Sequence, residues 1–327
     1  MDKPPLVSVL MSVYNERPAW LRAAVESILA QELADWELVV VDDGSADDVT
    51  AVLAGYRDPR IRCIRNTANL GLPRSLNIAI AAARGTFFAR QDSDDLSAPS
   101  RLRKQATFLD AHPEVGIVSS AFIVMNERGR HLCVVRMGET DHMLRPRLER
   151  MNCLGHGPSM LRRACIDAVG GYRELATCQD YDLWLRIAER FRIASLPEPL
   201  YRWRLNITGV SIQRQALQAR YIALVQELAA ERKQFGKDSF DPATVHERLT
   251  RSGLPERTAL WDRPMRRSAE LHLLQAARLA AYGAQTSAIR YGLRGLLADP
   301  LNPTVWALVV GRPVTKTAKR WLHRTPQ

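Results

Sequence analysis

The stretch that decides the fold is LVSVLMSV at residues 6–13, together with WELVVV at residues 36–41. Both runs are short, continuous and rich in Val and Leu, which is typical of strands buried on both faces of a parallel sheet. Residues 18–31 lie between them, begin with proline and carry apolar side chains at helical spacing, so they predict an amphipathic helix. A strand, a helix and a strand in this order predict a βαβ unit.

The same alternation continues along the next fifty residues. Residues 62–65 and 86–90 predict two further strands, and Pro73 begins a helix between them. Ser45 is predicted to cap the helix that follows the second strand. The fold class predicted is therefore α/β, with a mostly parallel sheet flanked by helices.

Polar or acidic clusters follow three of the predicted strands. They are Tyr14-Asn15-Glu16, Asp42-Asp43-Gly44-Ser45 and Asp92-Ser93-Asp94-Asp95. Ligands of open α/β sheets bind beyond the carboxyl ends of the strands. The three clusters therefore predict a binding site at this edge of the sheet.

Asp92 and Asp94 are the candidate metal ligands. They lie two apart in backbone that should be extended, so both carboxylates can point to one side. Paired carboxylates suit a hard divalent cation, Mg²⁺ or Mn²⁺, which keeps coordination positions for waters and substrate phosphates. The alternative is an acidic turn in which Ser93 and Asp95 cap the helix near Pro99.

Asp43 and Tyr14 are candidates for binding a nucleotide base. A carboxylate after the second strand could accept the N3–H of a uracil-like base, and an aromatic ring on the neighbouring strand end could stack on it. The alternative is that Asp43 only caps the next helix. No GxGxxG or GxxxxGK[ST] loop is present, so metal and basic side chains must neutralise phosphate charge. Arg74 and Arg90 are candidates, although either could be a packing or surface arginine.

Asp180 is the candidate general base. It lies in QDYDLW, residues 179–184, at the first turn of a predicted helix, where the helix dipole favours an ionised carboxylate. The alternative is an acidic residue that only stabilises the helix. His156, in a Gly155-His156-Gly157-Pro158 turn, is a weaker candidate for contact with the diphosphate or the acceptor.

Net charge divides the chain at about residue 211. Residues 1–211 carry 27 Lys+Arg against 26 Asp+Glu, whereas residues 212–327 carry 19 against 9. We therefore expect a catalytic domain over 1–211 and a basic α-helical region over 212–327, with helices at 213–233, 243–251, 266–282 and 285–298. This region, with an apolar run at 305–310, could dock on an anionic membrane surface, pack on the catalytic domain or mediate self-association. A nucleic-acid partner is not expected, because aromatic interleaving and reader motifs are missing.

Seven pieces of the sequence resemble glycosyltransferase family 2 in order and spacing, over residues 6–211. They are LVSVLMSVYN, VVVDDGSADD, NLGLPRSLN, RQDSDD with Pro99 and Arg101, GHGPSMLRR with VGGYRE, QDYDLWLRIAERF and PEPLYRWR. The resemblance implies a nucleotide-binding fold of the glycosyltransferase A type, a divalent cation as cofactor and inversion at the anomeric carbon.

The resemblance also implies roles for single positions. Base contacts fall on Tyr14, Asp42 and Asp43, the metal-binding DxD pair on Asp92 and Asp94, and the base on Asp180. Three positions depart from the family pattern: Ser12 replaces a Pro, Gln179 replaces the Glu before Asp180, and Arg204 stands where the family often has His. Arg204 could still neutralise the leaving diphosphate.

The activity expected from these residues is transfer of a sugar from a nucleoside-diphosphate donor, UDP above all, to a hydroxyl of a saccharide or lipid-linked acceptor. Polysaccharide, O-antigen or other glycoconjugate synthesis would be its setting. A nucleotidyltransferase and a non-catalytic sugar-nucleotide sensor are the alternatives. The N-terminus lacks an apolar signal region and no run reaches 18 apolar residues, so we expect a cytoplasmic address, with peripheral contact at the inner face of the cytoplasmic membrane.

Overall fold

A computed structural model describes residues 3–205 and 215–251 of the chain. The elements, in chain order, are β1 Val7–Val13, α1 Pro18–Leu29, β2 Trp36–Asp42, α2 Val49–Ala54, β3 Ile61–Arg65, α3 Leu72–Ala82, β4 Phe87–Arg90, β5 Leu96–Ser97, α4 Arg101–Ala111, β6 Val115–Met125, β7 His131–Val135, α5 Asp141–Leu148, β8 Met160–Arg162, α6 Arg163–Val169, α7 Gln179–Ala188, β9 Arg192–Arg204, α8 Gln215–Phe235 and α9 Val245–Arg251. The predicted helices at 266–282 and 285–298 and the apolar run at 305–310 lie outside the described residues.

The first four strands form a parallel half-sheet in the order β3-β2-β1-β4. In the register of this half, Val9 pairs with Leu38 on one side and with Ala89 on the other. All seven residues of β2 are buried, which explains the continuous run of apolar side chains in its sequence. The prediction of an α/β fold with flanking helices is confirmed.

The other half of the sheet is antiparallel, so the complete sheet is mixed. From β4 the order continues β8-β6-β9-β5, and β4, β6 and β9 each have an antiparallel neighbour in β8 or β5. Phe88 pairs with Leu161, for example, and Leu96 pairs with Arg202. The acidic loop at residues 91–95 therefore runs from a strand of the parallel half to a strand paired with β9.

Helix α1 shows how the helices cover the sheet. Pro18 occupies the first helical turn, where its missing N–H costs no hydrogen bond. Leu21, Val25 and Ile28 recur at spacings of three and four and are fully buried in the core. Burial of each such side chain contributes roughly 1.5–3 kcal/mol to stability.

The predicted cap at Ser45 is wrong. Helix α2 begins four residues later, and the carboxylate of Asp48 caps it by accepting the N–H of Ala51 at 3.0 Å. The reason is a turn in which Asp42 Oδ1 accepts the N–H of Ser45 at 2.9 Å, while the Ser45 hydroxyl accepts the N–H of Asn15 at 3.0 Å. Ser45 thus joins the ends of β1 and β2 and has no helix to cap.

The described residues belong to two compact units. The larger is formed by Met1–Ile123, Arg136–Arg204 and Ala219–Ser252, so most of α8 and all of α9 share a unit with β1 and α7. Within it Gln226 of α8 donates to the carbonyl of Arg150 at 2.9 Å. The described residues of the smaller unit are 124–135, 205 and 215–218, where Asn126 and Gly129 form the turn of a hairpin.

The predicted helices at 213–233 and 243–251 are confirmed by α8 and α9. Among the helices that the structure describes, none combines the length and the apolar character needed to span a membrane.

Candidate functional site

The ends of β1, β2 and β4 lie side by side, as the clusters in the sequence predict. Backbone hydrogen bonds fix this arrangement: the N–H of Asp43 donates to Val13 at 2.8 Å, and the N–H of Gln91 donates to Leu10 at 3.0 Å. The polar residues that follow the three strands therefore meet at one edge of the sheet.

Asp43 organises the loop that follows β3. Its Oδ1 accepts the N–H of Leu70 and an amide hydrogen of Asn66, both at 2.8 Å, and its Oδ2 accepts the N–H of Gly71 at 2.9 Å. With only 2% of its surface exposed, Asp43 is a fixed part of the site. It contacts this loop and does not cap α2, which excludes the alternative role considered for it.

Tyr14 and Asp42 flank Asp43 in different ways. Tyr14 is 51% exposed, unusual for an aromatic ring, so its face is open to a planar ligand. Asp42 is fully buried, accepts the N–H of Ser45 and lies 3.5 Å from the Arg65 guanidinium. Asp42 therefore stabilises the turn after β2.

Asp92 is held at both its backbone and its side chain. Its N–H donates to the hydroxyl of Tyr201 at 3.0 Å, and its Oδ1 accepts a hydrogen bond from the Arg90 guanidinium at 2.5 Å. Arg90 is a candidate phosphate ligand that the structure instead buries, with 2% exposure, and pairs with Asp92. Its packing role is one of the alternatives that the sequence left open.

Asp94 and Asp95 are carboxylates in an environment that disfavours negative charge. Burial, with repulsion from Asp92 and Glu16, raises the pKa of Asp94 to about 7. Burial likewise raises the pKa of Asp95 well above its ordinary value; its Oδ1 accepts the N–H of Arg204 at 2.6 Å, and its Oδ2 has no partner. Neither residue caps a helix, because α4 begins only at Arg101.

The acidic loop suits a divalent cation that also binds substrate. Its donors are hard carboxylate oxygens that repel one another, and a cation would relieve that repulsion. In the part of the chain that the structure describes, no three His, Cys, Asp or Glu side chains are arranged to enclose a metal. The residues fit Mg²⁺ or Mn²⁺ bound through one or two carboxylates, with substrate phosphates and waters completing the shell.

Arg204 lies against this loop. Its Nε donates to the carbonyl of Asp94 at 2.7 Å, and its guanidinium stacks over the ring of Trp20 with 4.9 Å to the centroid. Its charge also lowers the pKa of Glu16, although burial has the larger, opposite effect and the net pKa is raised. The structure thus places a cation beside Asp94.

Asp180 occupies the first turn of α7, as predicted, and its Oδ2 accepts a hydrogen bond from Asn152 at 2.8 Å. The start of the helix has the expected effect, because its N–H groups favour the ionised carboxylate, but this effect is not the largest. Burial raises the pKa of Asp180 by more than the N–H groups at the helix start and Asn152 lower it, and Asp92 raises it further. Asp180 and Asp92 are therefore close enough for their charges to interact.

His156 and Arg74 each bind another side chain of the protein. The Nε2 of His156 lies 2.9 Å from the Tyr172 hydroxyl, and burial together with Arg90 keeps the pKa of His156 well below its ordinary value, so the ring is neutral. Arg74 is half-exposed and forms an ion pair with Glu174 at 2.6 Å. A cation held by a neighbouring carboxylate has less free charge to offer a phosphate.

Two residues that support the site were missed. The Tyr201 hydroxyl accepts the N–H of Asp92 at 3.0 Å, and the fully buried Arg101 donates to the carbonyls of Arg90 and Gly157 at 2.8 and 2.7 Å. Burial lowers the pKa of Arg101 to about 10, so it stays charged at neutral pH. An arginine two residues after Pro99 gave no sign of burial, and Tyr201 meets Asp92 only after folding.

Two glycosyltransferases are similar in sequence to this part of the chain. EpsE of Bacillus subtilis, named as a glycosyltransferase, is 36% identical over 212 residues, which is 62% of this chain and 74% of EpsE. The amylovoran biosynthesis glycosyltransferase AmsE of Erwinia amylovora is 30% identical over 214 residues, covering 64% of this chain and 80% of AmsE.

Solved structures share the fold. TarS 1–349 of S. aureus, in complex with UDP, superposes with a TM-score of 0.58 at 17% identity, covering 95% of this chain and 91% of that one. The mannosyltransferase PcManGT of Pyrobaculum calidifontis, in complex with GDP-Man and Mn²⁺, gives 0.55 at 20% identity, covering 98% and 83%. The sequence profile of glycosyl transferase family 2 matches residues 8–169. With the mixed sheet, the acidic strand ends and a relative more than one-third identical, the chain belongs to glycosyl transferase family 2.

Proposed function

We propose that this glycosyltransferase moves a sugar from a UDP-linked donor to a hydroxyl of a saccharide or lipid-linked acceptor, with inversion of the anomeric carbon. The observation that supports the proposal is that Asp180, at the start of α7, interacts electrostatically with Asp92 of the acidic loop. A base on one side and a diphosphate site on the other are the two parts that a single in-line displacement requires.

The donor half of the proposal rests on the ends of β1 and β2. Tyr14 would stack on the base. Asp43, with Asp42 stabilising the turn beside it, would accept a hydrogen bond from an N–H at the edge of the base. Arg74 could reach the diphosphate only by giving up its pair with Glu174. The solved relative in complex with UDP favours a uridine donor, and the one in complex with GDP-Man keeps guanosine open.

The diphosphate half of the proposal rests on the acidic loop. Asp92 and Asp94 would hold Mn²⁺ or Mg²⁺, which would supply positive charge to the departing diphosphate. Arg204, beside Asp94, would add a second positive charge there. His156 is neutral and linked to Tyr172, so it would orient a sugar hydroxyl and not neutralise phosphate.

The acceptor side of the reaction falls to Asp180. Its carboxylate would take the proton from the acceptor hydroxyl as that oxygen forms its bond to the anomeric carbon. The bond from the anomeric carbon to the diphosphate oxygen breaks in the same step, and its electron pair leaves with the nucleoside diphosphate. Attack from the face opposite the leaving group inverts the configuration.

Asp180→Asn is the direct test of this assignment. The amide cannot accept the proton, so release of nucleoside diphosphate should fall by about 100-fold or more, while donor binding measured by calorimetry with Mn²⁺ stays near that of the wild type. The matched control is Asp167→Asn, on the exposed face of α6, which should keep full turnover. Wild-type turnover in the Asp180 variant would show that another group is the base.

A second candidate function is a non-catalytic sugar-nucleotide sensor, favoured by Gln179 in place of the usual Glu. A sensor binds donor with Mn²⁺ but releases no nucleoside diphosphate at any donor concentration. Thermal shift with UDP, dTDP and GDP separates the bases, because a ligand at a hundred times its dissociation constant adds about 2.7 kcal/mol to stability.

The acceptor belongs, in this proposal, to polysaccharide or O-antigen synthesis. The name of the Erwinia relative, an amylovoran biosynthesis glycosyltransferase, supports that setting. The basic excess in residues 212–327 would suit a lipid-linked acceptor at the inner face of the cytoplasmic membrane. Binding to vesicles with and without anionic lipid measures that contact.

A further inference from the structure

Asn152 contacts the proposed base and has no part in the mechanism above. It lies in the loop between α5 and β8, and its Nδ2 donates to Asp180 Oδ2 at 2.8 Å. Its Oδ1 is buried and has no hydrogen-bond partner. A buried amide oxygen without a partner is unfavourable, so its position calls for a reason.

A general base has two forms, and each needs a different partner. Before the reaction it is a carboxylate, which accepts hydrogen bonds; afterwards it carries the proton and can donate one. An asparagine amide offers a donor on one side and an acceptor on the other, and a half-turn about its last bond exchanges them without changing its shape. Since Asn152 Oδ1 holds no other group, this half-turn breaks no bond except the one to Asp180.

We propose that Asn152 is the positioning residue of Asp180, binding one of its oxygens through N–H before proton transfer and through C=O after it, and leaving the other oxygen to the acceptor. This inference rests on the proposed role of Asp180 as the base.

The geometry of α7 does not depend on Asn152. The Tyr181 hydroxyl donates to the carbonyl of Leu148 at 2.8 Å, and Asp182 forms a buried ion pair with Arg186 at 2.8 Å. These contacts fix the first turn of the helix from two other sides. Removal of the Asn152 amide should therefore change the environment of Asp180 and leave its backbone in place.

Several groups face Asp180 and share control of its ionisation. Asp92 at the end of β4 raises its pKa, and Tyr172 and Cys178, from the loop before α7, interact with it electrostatically. Burial is the largest contribution and raises the pKa, whereas the hydrogen bond from Asn152 lowers it. Loss of the Asn152 donor should therefore raise the pKa of Asp180 further.

The experiment measures that pKa directly. The full chain is labelled with ¹³C at the aspartate carboxyls, and the Asp180 signal is assigned by its loss in Asp180→Asn. Titration is then compared in the wild type, in Asn152→Leu, which keeps the shape and removes both polar groups, and in Asn152→Asp, which keeps an acceptor and adds charge. We expect the Asp180 midpoint to move to higher pH in both variants, and further in Asn152→Asp because of the like charge.

The matched control is Asn126→Asp, the same chemical change in a turn where the side-chain oxygen accepts the N–H groups of Arg128 and Arg130. It should leave the Asp180 midpoint unchanged. Hydrolysis of UDP-glucose with Mn²⁺ is followed in parallel, where Asn152→Leu should lower kcat by roughly tenfold, less than removal of the base, with little change in the donor KM.

An Asp180 midpoint that is the same in Asn152→Leu and the wild type overturns the proposal. So does a wild-type kcat in Asn152→Leu when Asp180→Asn is inactive. If the midpoint shifts but Asp180→Asn retains turnover, the assignment of the base fails and with it the catalytic meaning of Asn152. Should Asn152→Leu not fold, Asn152→Ala, which also removes the donor and adds no charge, gives the same comparison.

Discussion

At the scale of single residues, one hydroxyl group connects the acidic loop to strand β9. The Tyr201 hydroxyl accepts the N–H of Asp92 at 3.0 Å, while Arg101 packs over the Tyr201 ring with 4.8 Å to the centroid. The loop thus depends on a strand more than a hundred residues away in sequence.

Tyr201→Phe should therefore damage the site more than its single missing atom suggests. It leaves the Asp92 N–H without its partner, which should cost about 1–3 kcal/mol in the free energy of unfolding and weaken Mn²⁺ binding. Urea denaturation and metal titration measure the two effects. Tyr56→Phe is the control, because that hydroxyl forms only exposed bonds of 3.3 and 3.4 Å.

Asp180 should also lower stability at neutral pH. Because its pKa is raised in the folded state, the native protein binds a proton that the unfolded chain has already released, and stability falls as pH rises through this interval. Asp180→Asn should thus be more stable than the wild type at pH 7, and the difference should vanish at about pH 2, where the carboxyl is protonated in both the folded and the unfolded state. Guanidinium unfolding at the two pH values measures the difference in the free energy of unfolding between the variant and the wild type. An equal difference at both values contradicts this explanation.

The same raised pKa predicts how activity depends on pH. A base must be ionised, so kcat/KM should rise with pH through the pKa of Asp180, at a higher pH than for an ordinary aspartate. A rate profile from pH 4 to 8 measures this limb, and Asp180→Asn should lack it. A flat profile over this range would contradict the assignment.

At the scale of elements, the turn at residues 155–158 fits closely against β9. A Cβ on Gly157 would lie 2.4 Å from the Tyr201 hydroxyl and 2.5 Å from its ring, too close for any pair of atoms. The carbonyl of Gly157 also accepts a hydrogen bond from Arg101. This glycine is therefore part of the support for Asp92, although it touches none of the acidic residues.

Gly157→Ala should push Tyr201 away and lower both stability and turnover. Overpacking of this kind costs about 1–3 kcal/mol, and the activity should fall beyond what the loss of folded protein explains. Gly55→Ala is the control: its Cβ would meet only the Val52 carbonyl at 3.6 Å, and its φ of −63° suits alanine. Calorimetry and donor hydrolysis on the same samples compare the two; equal behaviour would contradict the proposed support.

Sequence patterns predicted most of the parallel half-sheet. The runs at 6–13 and 36–41 became β1 and β2 with one-residue differences, because a strand buried on both faces needs an unbroken apolar run. Strand β5 and the contact of Asn152 with Asp180 could not be predicted, because each depends on a partner distant in sequence. The pKa of Asp180 was misjudged for the same reason: burial is a property of the folded chain.

At the scale of the whole molecule, ion pairs join α8 and the loop after it to the region around α7. Asp238 binds the guanidinium of Arg173 at 2.8 Å and also that of Arg232, and Arg173 reaches Asp182 at 3.3 Å. Burial would raise the pKa of Asp238, but the hydrogen bonds from Arg173 and Arg232 outweigh it and the pKa is lowered. This stabilisation is present above pH 4 and is lost as pH falls through the lowered pKa.

Asp238→Asn should destabilise the larger unit as a whole. It leaves two partly buried guanidinium groups without their shared carboxylate, at a cost on the order of 3 kcal/mol. Urea unfolding at pH 7 measures it, and the difference from the wild type should shrink below pH 4. Asp241→Asn is the control, because the exposed Asp241 carboxylate accepts only the N–H of Ala243, and it should change stability little. An equal loss of stability in both variants would contradict the ion-pair argument.

The order of the chain has a consequence for how such proteins diversify. Every candidate nucleotide and metal residue except His156 and Arg204 precedes residue 96, whereas Asn152 and Asp180 come from the antiparallel half and the helix beyond it. A genetic crossover within the codons of β6 would exchange one set and keep the other. Mosaic genes built this way could acquire a new acceptor while inheriting an unchanged donor.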